Sequence, residues 1–267
     1  RLHPTGLPIE EMNHLAFGGV FLQYVHLANY TTLLHQDGDV PAMPLWSLAV
    51  EEHFYLIFPI CYMLMARKWS GKQQGMVLGC LCALALLIRI IVVSVLQDYH
   101  EVYNWTHTRF DSILFGCILA VTCNPVMDRD KDGYVPSTLH FVLALACIVF
   151  TLVIRPQQFP HFADPFRQTA RYTIQGAALL VIFSYLLHLK HGVIFDILTS
   201  KPMKIIGVLS YTVYLTNFFL IQLMRVRLPH LPAAAQSAIG LSITFAYAGL
   251  MWLLIERPLG KMRSKMH

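Results

Sequence analysis

The sequence predicts an all-α protein, a polytopic transmembrane bundle of about eight spans with both termini in the cytoplasm. Three observations carry this expectation. The 267 residues are 56% hydrophobic and 13% charged, whereas soluble domains carry about 25% charged residues. The mean hydropathy is +0.53. Apolar stretches long enough to cross a bilayer, at roughly 20 residues each, recur along the whole chain. They form one domain over residues 1–267, without internal repeat, low-complexity tract or linker. A net charge of +5 without a basic, aromatic-interleaved tract argues against nucleic-acid binding.

After a polar lead-in, the apolar segments run Met12–Leu34, Leu45–Ala66, Gly75–Leu96 and Thr108–Val121. The others run Thr138–Ile154, Thr169–Leu189, Lys204–Met224 and Ala233–Ile255. Lys and Arg set the orientation, because basic residues collect on the cytoplasmic side. Arg67, Lys68 and Lys72 share one loop, Arg129 and Lys131 another, and Lys190, Lys201 and Lys204 a third. The tail adds Arg257, Lys261, Arg263 and Lys265, and alternation puts all of these on one face with Arg1. The loops His35–Pro44 and Gln97–His107 on the other face hold no Lys or Arg.

Several charged residues lie inside these segments. Ionisable groups in a membrane span normally face a partner or a wet cavity. Glu51 and Glu52 lie in the second span, Arg89 in the third, and Arg109 and Asp111 in the fourth. Helical spacing aligns Ser47, Glu51, Tyr55 and Tyr62 on one polar stripe, with Glu52 about 100° away. The expectation is a buried polar layer pairing Glu51 or Glu52 with Arg109 or Arg89. It would be either a reactive centre or an ion-pair lock that holds helix register. Gly207, Ser210, Tyr214 and Asn217, with Tyr211 alongside, make a second stripe, read as helix glue or cavity lining.

Other signals are bland. The six cysteines contain no CxxC and read as packing residues. His188 and His191 lack further ligands, and His100-Glu101 begins an HExxH pattern that Asn104 breaks, so no metal is expected.

The run Trp46-Ser47-Leu48-Ala49-Val50-Glu51-Glu52-His53-Phe54-Tyr55 with Pro59 resembles the W-S-L-x-V-E-E-Q-F-Y…P of acyltransferase family 3. Arg109-Phe110-Asp111 with Gly116 is similar to that family's R-x-D…G. Ile206-Gly207, Ser210-Tyr211 and Tyr214-Leu215 look like its G-x-x-S-Y-x-x-Y-L. Glu256-Arg257-Pro258 resembles its closing E-x-P, and Arg1-Leu2-His3-Pro4 the end of R-R-x-x-R-I-x-P. The likeness runs through the chain in the family's order.

The resemblance implies a multi-pass enzyme of the bacterial cytoplasmic membrane. It would transfer an acyl group, acetyl in most members, from acyl-CoA to a hydroxyl of a cell-envelope carbohydrate. It implies catalytic roles for Glu51, Arg109 and Asp111, and substrate contacts from Ser47, Glu52, Tyr55, Ser210, Tyr211, Tyr214 and Asn217. Arg1 would attract CoA phosphates. The chain departs from the family at His53, where Gln is usual, and at Asn217, where many members have His. It also starts after the two spans that open most members, which include the Arg and His thought to be catalytic, and is therefore expected to be a truncated member. Two other readings accompany the enzyme: a proton-coupled secondary transporter using Glu51 and Asp111, and an inactive truncation.

Overall fold

The computed structural model describes residues 21, 25–30, 45–96, 101–124, 135–154 and 160–263. Every regular element among them is helical. Five helices are long and apolar enough to cross a membrane. Two further apolar helices are shorter, and the expected first span lies mostly outside the described residues.

Residues 1–190 form one compact unit and residues 191–267 a second. In the first, a 3-10 turn, Ala28–Tyr30, precedes α1 (Leu45–Lys68) and α2 (Gly71–Leu96). Pro59 lies inside α1; Pro is tolerated within transmembrane helices when neighbouring groups satisfy the freed carbonyl. Two single-turn helices, α3 (Glu101–Asn104) and α4 (Thr106–Arg109), lead into α5 (Asp111–Thr122). Then come α6 (Thr138–Val153), α7 (Pro160–Gln168) and α8 (Ala170–His188).

The expected fourth span is therefore an interrupted helix, with Phe110 at a turn between α4 and α5. This turn separates Arg109 from Asp111 on consecutive elements. It also shortens the apolar helix to 12 residues.

Packing in the first unit runs α2 on α5, α5 on α8 and α8 on α6. Met65, Leu78, Cys82 and Leu114 make one buried cluster; Ala144, Ala178 and Ile182 make another. Gly176 lets α8 approach α5: a Cβ there would run into the Phe115 ring. Small residues at helix contacts do this in bilayers, where packing rather than water expulsion drives association. Outward residues such as Leu56 and Val95 are about seven-tenths exposed. Such apolar surface suits hydrocarbon as its solvent.

The second unit contains α9 (Val193–Thr199), α10 (Lys201–Arg227) and α11 (Ala233–Met251). A π-helical turn, Trp252–Glu256, continues α11 into α12 (Arg257–Arg263). A Cβ on Gly240 would lie 2.8 Å from the Ile221 backbone, so α10 and α11 meet almost backbone to backbone.

Candidate active site

Arg89, on α2, is fully buried. Its fork grips Asp111 at the start of α5: Nη1 donates to Oδ1 at 3.0 Å and Nη2 to Oδ2 at 2.7 Å. The same guanidinium donates to the Thr108 carbonyl and to the Thr173 hydroxyl of α8. Thr173 donates in turn to Asp111 Oδ2 at 3.3 Å. Two parallel charge-assisted bonds give this pair both strength and a fixed orientation. It is the ion pair formed among the described residues. The expected pairing of Arg89 with Glu51 or Glu52 is thus replaced by Arg89 with Asp111. The reason is packing: α5 lies against α2 with Asp111 buried at its start, whereas Glu51 is exposed and Glu52 half-buried on α1.

Arg109, two residues before Asp111, points elsewhere. Its Cζ lies 4.0 Å from the Tyr172 ring centroid, 5.4 Å from Tyr103 and 5.7 Å from Trp46. One terminal nitrogen, Nη1, is buried and has no hydrogen-bond partner. Among the described residues Arg109 makes no ion pair. Aromatic faces attract a guanidinium, yet they offer its N–H groups no in-plane acceptor. The cage holds the cation in place and leaves Nη1 without an acceptor. Tyr172 is fixed from behind, accepting from Arg171 at 2.8 Å and donating to Gln168 at 3.2 Å.

The inward face of α1 is formed by Trp46, Ala49, Val50 and His53, with Ala49 and Val50 buried. The expected polar stripe does not enter the buried layer: Ser47, Glu51, Tyr55 and Tyr62 centre about 150° around α1 from that inward face, with Glu51, Tyr55 and Tyr62 exposed and Ser47 and Glu52 half-buried. Glu51 lies five residues beyond Trp46, about 7.5 Å along the helix and about 140° around it, so α1 carries the cage wall and the carboxylate on different faces. In the second unit, Ser210 donates to the Gly207 carbonyl, and Asn217 to the Val213 and Tyr214 carbonyls. Tyr211 and Tyr214 are exposed. Thr212 donates to Glu256 at 2.9 Å, which ties α10 to the π-helical turn. Arg1 lies outside the described residues.

The structure also reveals a polar cluster that sequence reasoning passed over. His53 Nδ1 and Thr106 Oγ1 are 2.7 Å apart, and Asn29 donates to the same hydroxyl at 2.7 Å. The Tyr30 hydroxyl and His107 Nδ1 are 3.3 Å apart, with the two rings stacked. These groups sit at one end of a cavity of about 330 Å³ between α1, α2 and the α4–α5 segment. Only the His-for-Gln exchange at position 53 marked this spot in the sequence. Tyr103 and Tyr172 carried no signal at all, because only tertiary packing brings a ring from the adjacent α3 and one from the distant α8 onto Arg109.

The sequence profile of an acyltransferase domain, acyltransferase family 3, matches residues 12–255. The chain belongs to this family. Among curated proteins it is similar to the O-acetyltransferase OatA of Staphylococcus aureus, 26% identical over 215 residues, covering 79% of this chain and 35% of that protein. The peptidoglycan O-acetyltransferase OatA of Listeria monocytogenes is 29% identical over 260 residues, covering 91% and 40%. The putative peptidoglycan O-acetyltransferase YrhL of Bacillus subtilis is 25% identical over 262 residues, covering 93% and 40%. The chain thus spans well under half the length of these relatives. No solved structure matches it. The family profile takes in α1 with Glu51, the Arg89–Asp111 pair and the Arg109 cage.

Proposed function

We propose that this acyltransferase family 3 chain is the membrane part of an O-acyltransferase. It passes an acetyl group from acetyl-CoA to a hydroxyl of a cell-envelope carbohydrate, with peptidoglycan, the acceptor named for the relatives, first among the candidates. It works in a bacterial cytoplasmic membrane as a multi-pass protein of eight spans with both termini inside. The observation that carries the reading is the caged Arg109, a cation with a buried, unpartnered N–H and no facing carboxylate among the described residues. Holding a bare guanidinium costs free energy; the cost is offset when an anionic oxygen arrives between its donors.

In this scheme the acceptor hydroxyl attacks the thioester carbonyl carbon. A C–O bond forms, the C–S bond breaks, and the electron pair leaves with sulfur. Glu51 takes the hydroxyl proton, as a general base must. Arg109 donates to the oxyanion as charge develops, and being held beforehand it needs little reorganisation. Asp111 acts by position: it holds Arg89, which holds the Thr108 carbonyl immediately before Arg109. In the first unit Ser47, Glu52 and Tyr55 make substrate contacts and Arg1 draws in CoA phosphates; Ser210, Tyr211, Tyr214 and Asn217 are the substrate-contacting residues of the second unit by itself.

The test is acetyl transfer from radiolabelled acetyl-CoA to peptidoglycan fragments by the full-length protein in membranes. Arg109→Gln should lower kcat/KM about 100-fold, the usual cost of losing one oxyanion donor. Transfer at the wild-type rate in that variant would overturn the assignment.

A further inference from the structure

His53 Nδ1 and Thr106 Oγ1 meet at 2.7 Å from two helices, α1 and α4. Asn29 donates its amide N–H to the same hydroxyl oxygen, also at 2.7 Å. A hydroxyl has one proton and two lone pairs. With Asn29 filling a lone pair, the arrangement that gives every group a partner has the Thr106 O–H donating to His53 Nδ1. The imidazole is itself held in place: it is hydrogen-bonded to the His26 backbone, and its ring centroid lies 6.3 Å from that of Tyr30. His26 takes a left-handed φ of 58°, a conformation that is costly without glycine and that collects at functional sites. A hydroxyl bonded to a base, with further groups orienting that base, is the arrangement of an activated nucleophile. Glutamine at position 53 could hold the hydroxyl but not take its proton. Thr106 is half-buried and, with His53, lines the cavity of about 330 Å³. Arg109, three residues on, is its neighbour across the single turn of α4.

We infer that Thr106 is a nucleophile with His53 as its base, and that it takes the acetyl group onto itself when no carbohydrate is bound. The inference rests on the acetyl-transfer reading for its donor, acetyl-CoA. Thr106 Oγ1 attacks the thioester carbonyl carbon; a C–O bond forms and the C–S bond breaks. The electron pair leaves with sulfur, and the hydroxyl proton passes to His53 Nδ1 and on to the thiolate. The products are a threonine acetyl ester and the free CoA thiol.

The test incubates the full chain in lipid nanodiscs with radiolabelled acetyl-CoA and no carbohydrate. Label should appear on the peptide holding Thr106, and fragment masses should place the acetyl group on that residue. Thr106→Val keeps the shape without the hydroxyl and should abolish the label, whereas Thr106→Ser should retain it. That contrast separates a nucleophile from a residue that only ties two helices together. His53→Gln keeps a hydrogen bond but not the base and should slow labelling about 100-fold. Acetyl on another residue, or labelling of His53→Gln at the wild-type rate, overturns the assignment. The ester p-nitrophenyl acetate, a donor without CoA, is used in a parallel arm. Label on Thr106 from this ester but not from acetyl-CoA upholds the dyad and removes acetyl-CoA as the donor. Thr106 unlabelled by both donors in monodisperse protein overturns the dyad, and carbohydrate still acetylated by that protein leaves the transfer reading standing.

Discussion

Two arginines of one unit show how differently the same side chain is used. Arg89 spends its donors on Asp111, Thr108 and Thr173, whereas Arg109 is held by ring faces and keeps a buried N–H unspent. Asp111→Asn removes the charge opposite Arg89 and should destabilise the fold by about 3–5 kcal/mol, as for other broken buried pairs. Arg89→Met with Asp111→Leu should recover most of that loss, since no lone buried charge remains. Thermal melts in detergent would compare the two. At Arg109, lysine keeps the charge but loses the planar fork and its stacking. Arg109→Lys should therefore stay folded yet lose about tenfold or more in transfer rate, a loss short of the glutamine variant's. The charged residues of this centre were all visible in the sequence; their pairing was not. Helical periodicity already sets Arg109 and Asp111 about 200° apart, but it does not tell that Asp111 meets Arg89 and Arg109 meets aromatic rings.

At the scale of elements, spacing located the helices well and their interruptions poorly. Leu45–Lys68 and Ala170–His188 lie within a few residues of the expected limits. The π-helical turn at Trp252–Glu256 leaves no trace in a hydropathy profile because its composition is mostly apolar, whereas the break before α5 falls in the polar run from Thr106 to Asp111. Close approach is an element property too. Gly240→Leu would drive a side chain into the Ile221 backbone and should separate α10 from α11. Crosslinking yield between cysteines placed on those two helices should fall, while Gly207→Leu, in open space, should leave it unchanged. The α4 turn adds a pH effect. Burial holds the His107 imidazole below the usual histidine range, so the unfolded chain takes up the proton first as pH falls through about 6.5. Stability should decline from pH 7.5 to 5.5, and His107→Gln should flatten that slope in the same melts.

For the whole molecule, composition alone identified a bilayer protein, and the order of short motifs identified the family whose profile spans residues 12–255. Orientation rests on the distribution of Lys and Arg. In a cysteine-free background, Ser70→Cys should resist a membrane-impermeant maleimide in intact cells, and Gly38→Cys should react. The reverse pattern would invert the bundle and move the Arg109 end to the cytoplasmic side.

The Arg89 fork has one mechanical consequence. Because it engages α2, the α4–α5 junction and α8 at once, none of these pieces can slide without breaking several charged bonds together. They are obliged to travel as a single block. Any gate that admits a bulky acceptor must therefore open along some other seam, and a crosslink across the α2–α8 contact should leave turnover intact.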